Sequence, residues 1–145
     1  MSRIAERPLL STRWESRDRH RYLTIPAVSG MAIAAALAVF GLPPLDLHGP
    51  LHFLGVMDPA CGMTRGVRLV LRGDLVAAFR YNPASPLVVA VMSLAVLRAA
   101  YGRLTGRWLT VRLRWSPGLL TALAIAVIAL EVNQQLHASL LLARH

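Results

Sequence analysis

Three long apolar runs, at about 23–42, 84–101 and 117–137, constrain this chain more than any other feature. Each approaches the roughly 20 residues that an α-helix needs to cross about 30 Å of hydrocarbon. In lipid the backbone must satisfy its own N–H and C=O groups, so such runs are helices. The chain has 145 residues and is 55% hydrophobic, which leaves too little polar surface for a soluble domain of this size. The fold class expected is all-α and integral to a membrane, with three transmembrane helices. An amphipathic or re-entrant helical pair is expected between the first and second. Residues 1–22 read as an Arg-rich cytoplasmic leader, mobile or lying on headgroups, and 23–145 as a single membrane domain with a motif loop at 45–83.

The net charge of +9 raises nucleic-acid binding as a possibility, and the placement of the charge argues against it. The sequence contains 16 basic residues, all arginine. Six precede the first run (Arg3, Arg7, Arg13, Arg17, Arg19, Arg21), and Arg98, Arg103, Arg107, Arg112 and Arg114 surround the second connection. Clustering beside apolar spans is a topology signal. It predicts a cytoplasmic N-terminus and an extracytoplasmic C-terminus in a bacterial inner membrane, with the motif loop outside. No nucleic-acid partner is expected, and the lipid bilayer is. Arg98 is read as snorkelling from the end of span two to the headgroups.

Local signals mark the helix ends. Pro43-Pro44 stops span one, since proline lacks the N–H that the next turn requires. Ser85-Pro86 and Ser116-Pro117 read as an N-cap followed by a first-turn proline. Arg65, Arg68 and Arg72 share a helical face over 62–72 by their spacing, Gly73 suits the position after a helix, and Asp74 suits the cap of a second short helix. Gly30, Ala34 and Ala38, four residues apart, form a smooth stripe on span one suited to close helix packing.

The one dense motif is Asp58-Pro-Ala-Cys-Gly-Met-Thr-Arg65, followed by Arg72-Gly-Asp74 and Asn82-Pro83. With a single cysteine in the chain, no internal disulfide forms and no multi-cysteine metal site exists. Cys61-Gly62 ahead of a helix places the thiol near a helix N-terminus, where a thiolate is favoured. Thr64 can bond back to the Asp58–Cys61 turn, and Arg65 can hold a carboxylate or a lipid phosphate. The simpler reading makes Cys61 a small buried residue in a tight turn, and that reading is preferred.

Taken in order, Cys61-Gly62-Met63-Thr64-Arg65, Gly73-Asp74 and Asn82-Pro83 resemble a family of small bacterial membrane proteins, domain of unknown function 2752. That family carries a C-P-x-C-G-x-T-R motif, a Gly-Asp pair and an Asn-Pro opening the next span. The resemblance covers roughly 49–86. This chain has Asp58 where the family has its first cysteine, so a dithiol chemistry that the family's pair would permit is closed to it. A metal site here would need His48 and His52 as further ligands, and neither metal nor cofactor is expected.

No Ser/His/Asp grouping, glycine-rich phosphate loop or HExxH is present, so no catalytic residues are assigned. Glu131 lies inside the outer third of span three, where a carboxylate is costly unless paired, and a Glu131–Arg65 ion pair is expected. The preferred function is a non-catalytic accessory or scaffold subunit with a membrane-protein partner or as a homo-oligomer. The alternative is a redox, metal or lipid-handling protein acting through Asp58, Cys61, His52 and Arg65. A channel protomer would rest on Glu131 alone.

Overall fold

The computed structural model describes residues 9–41 and 56–142. Pro43-Pro44, His48 and His52 lie outside them, as do Arg3, Arg7 and Arg144. Three helices are long and apolar enough to cross a membrane: α1 (Arg21–Phe40), α4 (Ser85–Thr105) and α5 (Pro117–Leu136). Among the described residues between α1 and α4 stand two short helices, α2 (Met63–Leu71) and α3 (Leu75–Tyr81), and α6 (Ala138–Leu142) follows α5.

Span one packs along span two, and α2 leans against both. The expected small-residue stripe contributes to this contact. Ala34 is buried, and a Cβ at Gly30 would lie 2.5 Å from Met92 Cε on α4. Close approach of this kind substitutes for the hydrophobic drive that is absent between helices in lipid. Span three stands apart from the other two among the described residues, and its neighbour in the chain, α6, is the element it contacts most.

The Arg-rich leader is ordered from residue 9 onward, which differs from the mobile segment expected. Leu10–Glu15 forms β1, paired antiparallel with β2 (Trp108–Leu113) in the second connection. The register sets Leu10 opposite Leu113 and Glu15 opposite Trp108. Alternating Trp, Thr, Val and Leu in 108–113 suits a strand better than a helix. The ribbon joins the leader to the α4–α5 connector, so both lie at the same membrane face. An otherwise helical chain thereby gains a small β element that an all-α reading lacks.

Arg98 explains how the ribbon is held. It does not snorkel: its side chain is 13% exposed, as is that of Asp18. Arg98 Nη2 bonds Asp18 Oδ1 at 2.8 Å, Nη1 donates to Thr24 Oγ at 3.4 Å, and Nε donates to the Leu109 carbonyl. The guanidinium also lies over the Trp108 ring, 5.5 Å from its centroid. One side chain thus ties the leader, the start of α1, α4 and β2 together. Asp18 accepts from the His20 N–H at 3.0 Å and from Thr24 Oγ at 3.1 Å, which places a negative charge at the N-terminus of α1.

Burial disfavours the Asp18 carboxylate, yet the bonds from Arg98, the His20 N–H and Thr24 outweigh it and hold the carboxyl below its ordinary range. A depressed folded value gives stability that is complete above the unfolded aspartate value of about 3.9. That stability is lost as pH falls through the folded value. Thermal melts in detergent should therefore show an acid-side loss that Asp18→Asn flattens. Arg98→Ala, which strands a partly buried carboxylate, should cost about 3 kcal/mol at neutral pH.

Candidate functional site

The motif forms a tight turn followed by a helical hairpin. Asp58 Oδ1 accepts the Ala60 N–H at 2.7 Å, and the Cys61 N–H closes the turn onto the Asp58 carbonyl at 3.0 Å. The Asp58 N–H points at Cys61 Sγ, 3.4 Å away. An aspartate at the position where the resemblance has cysteine therefore serves the turn itself. Gly62 follows in the left-handed region at φ +74° and caps α2. A Cβ there would fall 2.5 Å from the Tyr81 carbonyl oxygen and 2.7 Å from Leu141 Cδ2. Both the backbone angle and the space require glycine.

Asn82 organises the turn from the other side. It is fully buried, and its Nδ2 donates to the carbonyls of Pro59 at 2.9 Å and Cys61 at 3.0 Å. Its Oδ1 accepts the Ala84 N–H at 2.9 Å, so the same amide starts α4. Sequence reasoning read Asn82-Pro83 as a helix boundary only. Ala84 is the residue capping α4, and Ser85, expected there, is buried with its hydroxyl 3.6 Å from Met63 Sδ. An amide that satisfies two buried carbonyls and one N–H leaves little polar cost inside the turn.

The remaining motif residues cap helices. Arg72, Gly73 and Asp74 end α2 in a Schellman arrangement: Gly73 N–H bonds Val70 O and Asp74 N–H bonds Leu69 O, both at 3.0 Å, with Gly73 at φ +84°. The Asp74 carboxylate then accepts the Ala77 N–H at 3.0 Å and caps α3, as its sequence position indicated. Arg68 and Arg72 reach across to span one, where their Nε groups donate to the carbonyls of Leu37 at 3.1 Å and Ala38 at 2.9 Å. They add to the bonding of carbonyls in the last turn of α1, where the Leu37 carbonyl also accepts the Gly41 N–H at 3.1 Å, and place positive charge at its negative end. The shared arginine face was legible in the spacing, and its target was not.

Arg65 lies over the Tyr81 ring, 5.7 Å from the centroid. Ion pairs among the described residues join Arg19 to Glu15 and Arg98 to Asp18, and the expected Glu131–Arg65 pair is not one of them. Glu131 nevertheless lies close enough to bear electrostatically on Cys61. Thr64 is exposed, which differs from a hydroxyl bonded back into the turn.

The C-terminal end of the chain clamps the turn. Met57, Cys61 and Leu141 form a small buried cluster, with Tyr81 and Ala138 packed against it. Gln135 Oε1 accepts the Met57 N–H at 3.1 Å. Cys61 is 5% exposed, and burial pushes its thiol up from the ordinary range. A helix N-terminus would push it down, so the expected thiolate-favouring effect is outweighed.

With this geometry in view, the motif can be compared with known proteins. A family model described as a protein of unknown function, DUF2752, matches residues 51–96. Over this third of the chain the sequence is similar to DUF2752, the family that the motif resembles. The matched range holds the turn, the helical hairpin and the first half of α4, so each motif position discussed above lies within it. No curated protein and no solved structure matches the chain.

Replacing Asn82 by Ala removes three hydrogen bonds and leaves two carbonyls unsatisfied at a buried site, a loss of about 2–4 kcal/mol. Maleimide labelling of Cys61 at pH 8 should accelerate sharply in Asn82→Ala, whereas the wild-type thiol should react slowly until the protein is denatured.

Proposed function

We propose that this protein is a non-catalytic accessory or scaffold subunit of a membrane complex, seated in a bacterial inner membrane with its N-terminus in the cytoplasm. The observation that carries this reading is the use to which the motif's polar groups are put. Asn82, Asp58, Asp74, Arg68 and Arg72 bond to backbone groups at turns and helix ends, and the Cys61 thiol is buried with its ionisation disfavoured. Groups committed in this way build a rigid cap on the spans. A redox role through Cys61 needs the opposite: an accessible thiol with a lowered pKa.

The arginine distribution supports the orientation. The described arginines of both basic clusters, from Arg13 to Arg21 and from Arg98 to Arg114, lie toward the end that carries the β ribbon, as the positive-inside pattern requires of a cytoplasmic face. The hairpin of α2 and α3 then lies at the outer face. Leu75, Val76 and Phe79 are exposed on α3, which suits a short helix resting on acyl chains.

Span three supports a protein partner. Leu120, Leu123, Ile125, Val127, Ile128 and Val132 are exposed along its length. It is anchored at one end by α6 and Gln135, which leaves its flanks open to another membrane helix. Single cysteines along span three, introduced into a Cys61→Ser background, should form crosslinks at one helical face in membranes. Crosslinking with no facial preference, or only monomer in mild detergent with nothing co-purifying, would reject the scaffold reading. A loss of function in Cys61→Ser with the protein still folded would favour thiol chemistry instead.

A further inference from the structure

The β ribbon carries a second polar site that the motif does not touch. A cavity of about 250 Å³ is lined by Ser11, Thr12, Arg13, Thr110 and Arg112. Arg13 stands opposite Thr110, and Ser11 opposite Arg112, in the strand register. Side chains two apart on a strand share a face, so these four residues lie on the same side of the ribbon. Trp108 belongs to that face too, and its ring packs on α4 against Arg98. Ser11, Arg13 and Arg112 are exposed at this face, while Thr110 between them is buried.

Thr110 is the decisive residue. It is 1% exposed, and its hydroxyl has no hydrogen-bond partner among the described residues. A buried donor left unpaired is costly, and here it borders a cavity flanked by two guanidiniums. Among the described residues the side chains of Arg13 and Arg112 make no ion pair or hydrogen bond, and Glu15 and Asp18 are engaged by Arg19 and Arg98. Two guanidinium forks and a hydroxyl with no partner among the described residues have the chemistry of a phosphate cradle. β2 begins three residues after α4 ends, and α5 begins four residues after β2 ends, so the cavity lies at headgroup depth.

We propose that this cavity binds the phosphodiester of an anionic phospholipid, held by Arg13 and Arg112 with Thr110 donating to a phosphate oxygen. The lipid's acyl chains run alongside α4, and its phosphate ties the leader strand to the connector strand. Bound lipid would therefore report on, and reinforce, the junction that Arg98 makes from within.

Native mass spectrometry of the full chain in neutral detergent, titrated with phosphatidylglycerol and separately with inorganic phosphate, tests this. Phosphatidylglycerol adducts should persist on the wild type, and Arg13→Gln and Arg112→Gln should each weaken retention by about fivefold. Thr110→Val should also weaken retention while raising the lipid-free melting temperature, because it removes an unpaired buried hydroxyl; Thr110→Ser should retain lipid like the wild type. The proposal is overturned if Thr110→Val binds lipid normally, or if its retention and melting temperature fall together. It is also overturned if Arg80→Gln, far from the ribbon, loses as much lipid, which would make the effect diffuse charge. Saturation by inorganic phosphate that phosphatidylglycerol cannot displace would identify a soluble anion as the ligand and exclude the lipid.

Discussion

The buried amide of Asn82 is the constraint on which the membrane-face end of this fold depends. Its two N–H groups hold the Pro59 and Cys61 carbonyls, and its oxygen holds the first N–H ahead of span two. Without it, the turn would bury unpaired carbonyls next to hydrocarbon, where no water is available to satisfy them. Gly62 can approach Tyr81, and Leu141 can close over the turn, only because the chain is pinned at that point. The motif is thus a set of mutually dependent contacts.

A different arrangement secures the opposite face. There a single guanidinium, Arg98, gathers a carboxylate from the leader, a hydroxyl from α1, and a backbone carbonyl and an indole face from β2. Such a site gains strength from its partly dry surroundings, and it is vulnerable to loss of either charged partner for the same reason. The two ends together hold spans one and two as a unit. Span three is connected at its ends, through the ribbon that precedes it and the α6 clamp that follows, and contributes little to the packing between the first two. A chain built in this way has a rigid pair of helices and one helix with open flanks.

Much of this was legible where the cause is local. The lengths of the apolar runs located the spans, and the capping roles of Gly73, Asp74 and Ser116 followed from residue type and position. The common face of Arg68 and Arg72 followed from helical spacing. Contacts made across long stretches of chain were not legible. Asp18 and Arg98 are 80 residues apart, and Asn82 reaches back 21 residues to Cys61. Nothing in the local pattern distinguishes an arginine that snorkels from one that a distant carboxylate captures. The ribbon was missed because arginines dominate the leader's composition and conceal the alternation of Leu10, Thr12 and Trp14. The preference for a buried Cys61 over a reactive one came from turn chemistry, and the cluster with Met57 and Leu141 supplies its physical basis.

The central claim is that the motif is a closed structural latch. Gly62 tests it most directly, because the residue has no functional group to lose. Placing Ala there forces a Cβ into the left-handed region, at a cost of about 1–2 kcal/mol, and drives it against the Tyr81 carbonyl and Leu141. The melting temperature of Gly62→Ala in detergent should fall by several degrees, with faster hydrogen exchange at the 58–62 turn. An unchanged melting temperature and unchanged exchange would mean that the turn is open and the contacts described here do not hold it.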